Sequence, residues 1–211
     1  MTPGLLALVQ WLSPAFPTGA FACSHGAETA IADGRLATPA QVQAWLETLI
    51  AHGSGWQDAV LLAQGLAPDA DLDALADTAR ALAASAERWA ETRDQGAAFA
   101  ATLAHITGRP QPALPLPLAV AHAARPLGVP VPDVLALYLH AFASNLVTIA
   151  VRAVPLGQSQ GQAILSALAP LIRARALLAA TARLDDLATS AFAADLAAMA
   201  HETLQPRLYR T

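Results

Sequence analysis

The stretch VLALYLHAFASNLVTIAV, Val134 to Val151, decides the fold. It is just long enough to cross a bilayer, which takes ~20 predominantly apolar residues. His140, Ser144, Asn145 and Thr148 would be costly inside hydrocarbon, however, and Pro130, Pro132 and Pro155 bracket the run. A helix that is apolar nearly all round and does not face lipid is the buried centre of an α-bundle. The stretch therefore predicts a central apolar helix.

Outward from it, apolar residues recur at three- and four-residue spacing and no period-2 run suggests a strand. Thr38-Pro39-Ala40-Gln41 supplies an N-cap, a first-turn proline and a capping-box glutamine, followed by an apolar face of Val42, Trp45, Leu46, Leu49 and Ile50 that Gly53 ends. Asp69 or Asp71 can cap a helix with Leu72, Leu75, Ala79 and Leu82 on one face. Another carries Trp89, Phe99, Leu103 and Ile106 and stops near Gly108. Pro110, Pro112, Pro115 and Pro117 follow, in a segment too short to read as a domain linker. Beyond the central helix comes a Pro155-Leu156-Gly157 turn, then a helix from about Ser159 with Pro170 as an expected kink, then a last helix over about 190–203. The reading is all-α: a single-domain multi-helix bundle spanning residues 1–211.

Composition narrows function. The 211 residues are 55% hydrophobic and 13% charged, which calls for extensive burial or an oligomer interface and predicts a homodimer. All twelve basic residues are arginines, so a P-loop lysine and a Schiff-base lysine are both excluded. A net charge of −4 argues against nucleic acid. One cysteine excludes an internal disulfide framework, and no Cys-x-x-Cys or His-Glu-x-x-His builds a metal site. Leu5, Leu6, Leu8 and Val9 have no basic residue before them, against a secretory signal, and the cytoplasm is the expected location.

Two terminal stretches carry the chemistry: Ser13 to Glu28, and His201 to Thr211. Cys23 and His25 would point about 200° apart on a helix but could converge in an extended turn. They read as a small buried thiol beside a helix-start histidine, as a transient nickel contact, or as the nucleophile and base of a small helical hydrolase. His140, among Leu137, Tyr138, Leu139 and Phe142, reads as a core histidine. Glu87, Arg88, Glu91 and Arg93 read as a solvated charged helix face. Asn145, inside the most apolar helix, must bond something specific, either a neighbouring loop or a second copy of the chain. Arg152 sits favourably at a helix C-terminus, and Gln158 and Gln162 lie one turn apart on the next helix.

Four short strings in order resemble the urease accessory protein UreF family. They are Ser13, Pro14, Pro17, Gly19, Phe21, Ser24, His25, Gly26 and Glu28; Glu91, Arg93 and Gln95; Ser144 to Gln162; and His201, Glu202, Arg207, Leu208, Tyr209 and Arg210. Departures are Thr18-Gly19-Ala20 for Val-Gly-Gly, Cys23 for an aromatic, Ala27 for leucine and Thr211 for serine, and they weaken a metal role for Cys23. The resemblance implies an all-α dimer with no catalysis, no catalytic or metal-binding residues and no cofactor, which touches nickel at most transiently. It further implies binding to UreD (UreH), recruitment of the GTPase UreG and nickel transfer into apo-urease. The residues implied at partner interfaces are Pro17, Phe21, Ser24, His25, Glu28, Arg93, Gln95, Arg152, Gln158, Gln162, His201, Glu202, Arg207, Leu208, Tyr209 and Arg210. Within the tail, residues 201–211, the two arginines around Leu208 and Tyr209 are expected to become ordered on UreD.

Overall fold

A computed structural model describes residues 2–211. Ten α-helices follow one another: α1 (Pro3–Trp11), α2 (Ala27–Ala32), α3 (Pro39–His52), α4 (Ser54–Gly65), α5 (Leu72–Leu82), α6 (Ala86–Thr107), α7 (Leu116–Ala124), α8 (Val131–Ala153), α9 (Gln158–Ala179) and α10 (Phe192–His201). Three short 3-10 turns, at Ala20–Ala22, Arg125–Leu127 and Leu184–Asp186, complete the regular structure among the described residues, and no strand occurs there. The chain is all-α.

Local chemistry sets the ends. The Thr38 hydroxyl accepts from the Gln41 N–H while the Gln41 side chain accepts from the Thr38 N–H, a full capping box on α3. Asp71 accepts from the N–H groups of Asp73 and Ala74 at the start of α5. Gly108, at φ 66°, ends α6 in the left-handed conformation that glycine adopts without a Cβ penalty. Helix α9 begins at Gln158, where the Gln160 side chain accepts from the Gly157 N–H, and continues through Pro170. Helix α10 starts later than its apolar pattern suggests, because the Thr189 hydroxyl takes the Ala191 N–H and holds that turn outside the helix.

Helix α8 lies at the centre, with α9 along one side and α3 and α4 packed on others. Leu135, Leu139 and Ile149 of α8 are fully buried, as are Ile50 of α3, Leu62 of α4, Leu118 of α7 and Leu168 of α9. Both α8 and α9 are long and apolar enough to cross a membrane, but half of the α8 window is already buried against the rest of the chain. One expectation fails here. His140 is exposed rather than in the core, since it falls on the outward side of α8 between buried Leu139 and buried Ala143.

The proline-rich segment before α7 is a packed crossing. At Gly96 of α6 an added Cβ would lie 1.9 Å from the Leu114 carbonyl oxygen, so the segment passes over α6 where that helix has no side chain. Leu114 is buried at this crossing.

Candidate partner-binding site

The Ser13–Glu28 stretch runs as a turn-rich loop from α1 to α2, and its last residues are bent into the interior. His25 has φ 52° and Gly26 φ 75°, two successive left-handed residues that swing the chain into α2. Gly26 is required twice over, because a Cβ there would also lie 2.7 Å from the Ala198 backbone nitrogen of α10. Left-handed geometry is uncommon outside glycine and persists only where surrounding contacts hold it. Here His25 Nε2 lies 2.8 Å from Glu91 Oε1 and the imidazole stacks edge-on against Phe142.

Glu91 is the centre of a buried charge cluster. Arg88 reaches it at 3.1 Å with one guanidinium nitrogen and Asp58 at 3.1 Å with another. Gln95 donates to Glu91, and the Thr211 hydroxyl donates to its second oxygen. Burial raises the Glu91 carboxyl, but Arg88, His25 and Thr211 outweigh it and bring it down to about 2. Asp58 instead stays above the ordinary carboxylate value, because burial outweighs Arg88 and the Tyr138 hydroxyl that donates to it at 2.9 Å. Arg88 is held firmly charged, burial being overcome by Glu91 and Asp58.

A second carboxylate pair holds the C-terminal tail. His201 is fully buried, with Nε2 2.9 Å from Glu28 and Nδ1 2.6 Å from Glu87. Glu28 also accepts from the backbone N–H groups of Leu208 and Tyr209, at 2.6 and 2.9 Å. Burial raises the Glu28 carboxyl, but His201 and these two donors more than offset it, so it sits below its ordinary value. Arg207 pairs with Glu87. The Arg210 N–H bonds the Ala22 carbonyl, and the Thr211 carbonyl accepts from both the N–H and the hydroxyl of Ser24.

This arrangement corrects two expectations. The Glu87–Glu91 face of α6 is not solvated, because α10, the tail, His25 of the loop and Asp58 of α4 cover it; Glu91 is 4% exposed. The tail is not left to become ordered on a partner, since Glu28, Glu87, Glu91 and Ser24 satisfy its polar groups within this chain.

Of the residues expected at partner interfaces, Ser24, His25, Glu28, Gln95, His201, Arg207 and Tyr209 converge on this cluster. Glu202 stands beside it, accepting from the Ala86 N–H at the start of α6. Pro17, Phe21 and Arg152 line the mouth of a neighbouring cavity. Leu208 and Arg210 project outward from the tail. Arg93, Gln158 and Gln162 are not brought in: all three are exposed, and the Arg93 guanidinium pairs only with the adjacent Asp94. Sequence reading missed Asp58, Tyr138 and the closing role of Thr211, since their partners lie far away in the chain. The loop expectation for Asn145 holds, its amide donating to the Ala20 carbonyl at 2.8 Å. Cys23 and His25 do not form a pair, since His25 faces Glu91 and Ser54. Burial and Glu91 push the Cys23 thiol up to about 11.

A family model described as UreF matches residues 36–169. The urease accessory protein UreF of Cereibacter sphaeroides is 57% identical over 211 residues, the whole of both chains. The chain belongs to the UreF family. Similar proteins of the same description occur in Dinoroseobacter shibae, 47% identical over the whole of both chains, and in Paracoccus denitrificans, 50% identical over 98% of this chain and 95% of the relative. The UreF model takes in Asp58, Arg88, Glu91, Tyr138 and Arg152, while the full-length relatives extend the likeness to the Ser24 loop and the tail.

Proposed function

We propose that this chain is a urease accessory protein that acts in urease maturation as a scaffold, binding UreD/UreH, recruiting the GTPase UreG and holding both against apo-urease while nickel is transferred. It works as a homodimer in the cytoplasm. Nickel is cargo here, and the chain carries no resident cofactor or catalytic group. The UreF name of its relatives supports the role in urease maturation and fits a protein that is not an enzyme.

The observation that carries the scaffold reading is the mounting of the tail. Glu28 grips the backbone of Leu208 and Tyr209, yet the Leu208 side chain is 85% exposed and Arg210 is exposed beside it. An apolar anchor and a forked cation on a pre-ordered backbone lose little conformational freedom on binding, which favours affinity. The hydrolase alternative is disfavoured because the Cys23 thiol is buried and stays protonated at neutral pH.

The test is the double variant Leu208→Ala/Arg210→Ala, which removes the outward groups and keeps the backbone grip. UreD pull-down is expected to be lost with the thermal midpoint unchanged. Undiminished UreD binding sinks the tail as the anchor.

A further inference from the structure

Between the Ser13–Phe21 loop and helices α6, α7 and α8 lies a cavity of about 350 Å³, within the ~300–1,000 Å³ range of small-ligand sites. Aromatic rings of Trp11, Phe16, Phe99 and Phe142 line it. Its charged floor is already satisfied, Arg88 being shared between Asp58 and Glu91 and the Tyr138 hydroxyl being given to Asp58. Thr92 and Arg152 are among its uncommitted polar groups. Thr92 is 7% exposed and its hydroxyl has no partner, although a buried hydroxyl without one is costly. Arg152 is exposed and has no ion pair among the described residues, although it lines the same cavity.

We infer that this cavity takes a phenol-bearing carboxylate, with its ring among the aromatic walls, its carboxylate on Arg152 and its hydroxyl on Thr92. A partner protein supplies it as a tyrosine next to an acidic residue. Arg152 provides the charge complementarity, because the planar guanidinium pairs a carboxylate bidentately. The aromatic walls take the ring, while the pair with Arg152 forms at the exposed edge of the cavity. The partner as source rests on the scaffold reading above; the ligand chemistry does not.

Titration of the isolated protein with 3-(4-hydroxyphenyl)propionate by calorimetry tests the chemistry without any partner. The expected result is saturable binding that is about tenfold weaker in Arg152→Gln, lost when Ala141→Trp or Thr148→Trp fills the cavity, and unaffected by Leu208→Ala/Arg210→Ala. Tyramine, with a cation in place of the carboxylate, is expected not to bind. No saturation by about 10 mM, equal binding of tyramine, or an unchanged constant in Arg152→Gln overturns the proposal. Two aromatic insertions at different wall positions keep the cavity test independent of the folding of either one. Saturating 3-(4-hydroxyphenyl)propionate should also displace UreD from the wild-type protein, and failure to do so while the probe binds overturns UreD as the source. Loss of UreD binding in the tail variant alone, with binding of 3-(4-hydroxyphenyl)propionate intact, separates the fate of the tail reading from that of the cavity.

Discussion

Ser24 and Thr211, 187 positions apart, are joined twice: the N–H of Ser24 donates to the Thr211 carbonyl at 2.7 Å and its hydroxyl donates to the same oxygen at 2.5 Å. The Thr211 hydroxyl then donates to Glu91, whose other oxygen faces His25 and Arg88. The loop before α2, the buried face of α6 and the tail are therefore one hydrogen-bonded unit, and disturbing any of the three should register in the others.

Acid should dissolve this unit in a defined window. The Glu91 carboxyl sits at about 2 in the folded chain against an ordinary 4.5, so its ionisation stabilises the fold above pH 4.5 and that stability drains away as pH falls towards 2. The difference is of order 3 kcal/mol, and Glu28, also lowered, adds in the same direction. Chemical denaturation of wild type and Glu91→Gln between pH 6 and about 2.5 checks it: the variant should be less stable at neutral pH and lose less on acidification. Parallel curves would refute the assignment.

Removing the imidazole of His201 should destabilise the fold. His201→Ala removes the buried imidazole that lies between Glu28 and Glu87, while Glu28 keeps the Leu208 and Tyr209 N–H donors and Glu87 keeps Arg207, at a cost of about 1–3 kcal/mol. A double-mutant cycle with Glu28→Gln measured by urea unfolding should return a coupling well above 1 kcal/mol. Additive losses would mean the bridge contributes little.

Two glycines with nearly the same backbone angle separate strain from crowding. Gly34, at φ 73°, has nothing within 4 Å of an added Cβ, so Gly34→Ala should cost about 1 kcal/mol. Gly26, at φ 75°, would place that carbon 2.7 Å from the backbone of α10 and should cost several times as much, roughly 3 kcal/mol or more. Equal thermal shifts for the two variants would show that α10 moves aside freely.

The Cys23 thiol should be slow to react. With the group buried and pushed up to about 11, iodoacetamide labelling at pH 8 should be far slower in the folded protein than in urea. Comparable rates would mean that the loop opens readily.

Much of the fold was legible because it is written locally. The Thr38–Gln41 box, the Asp71 cap and the Gly108 stop are each complete within a few residues, and the apolar text of α8 could only be a core or a membrane span. Part of the charge cluster could be named from the sequence, but Asp58 and Tyr138 could not, and its arrangement was illegible. Glu87 and Glu91 share a face by helical spacing, but that face is covered by His25, Asp58, α10 and the tail, which spacing along α6 does not encode. His140 erred the other way, since a helix rich in apolar residues still has an outward side. Asn145 was read correctly because the cost of an unsatisfied amide holds wherever the partner comes from.

The clasp between the two ends of the sequence has a consequence for biosynthesis. Ribosomal synthesis delivers Ser24, His25 and Glu28 early, whereas Glu91 comes later and the donors His201, Leu208, Tyr209 and Thr211 come last. At about 5–20 residues per second the Glu28 carboxylate waits roughly 10–35 seconds for its tail donors. The α2 region of a nascent chain is thus without its tail contacts until residues 201–211 have been made.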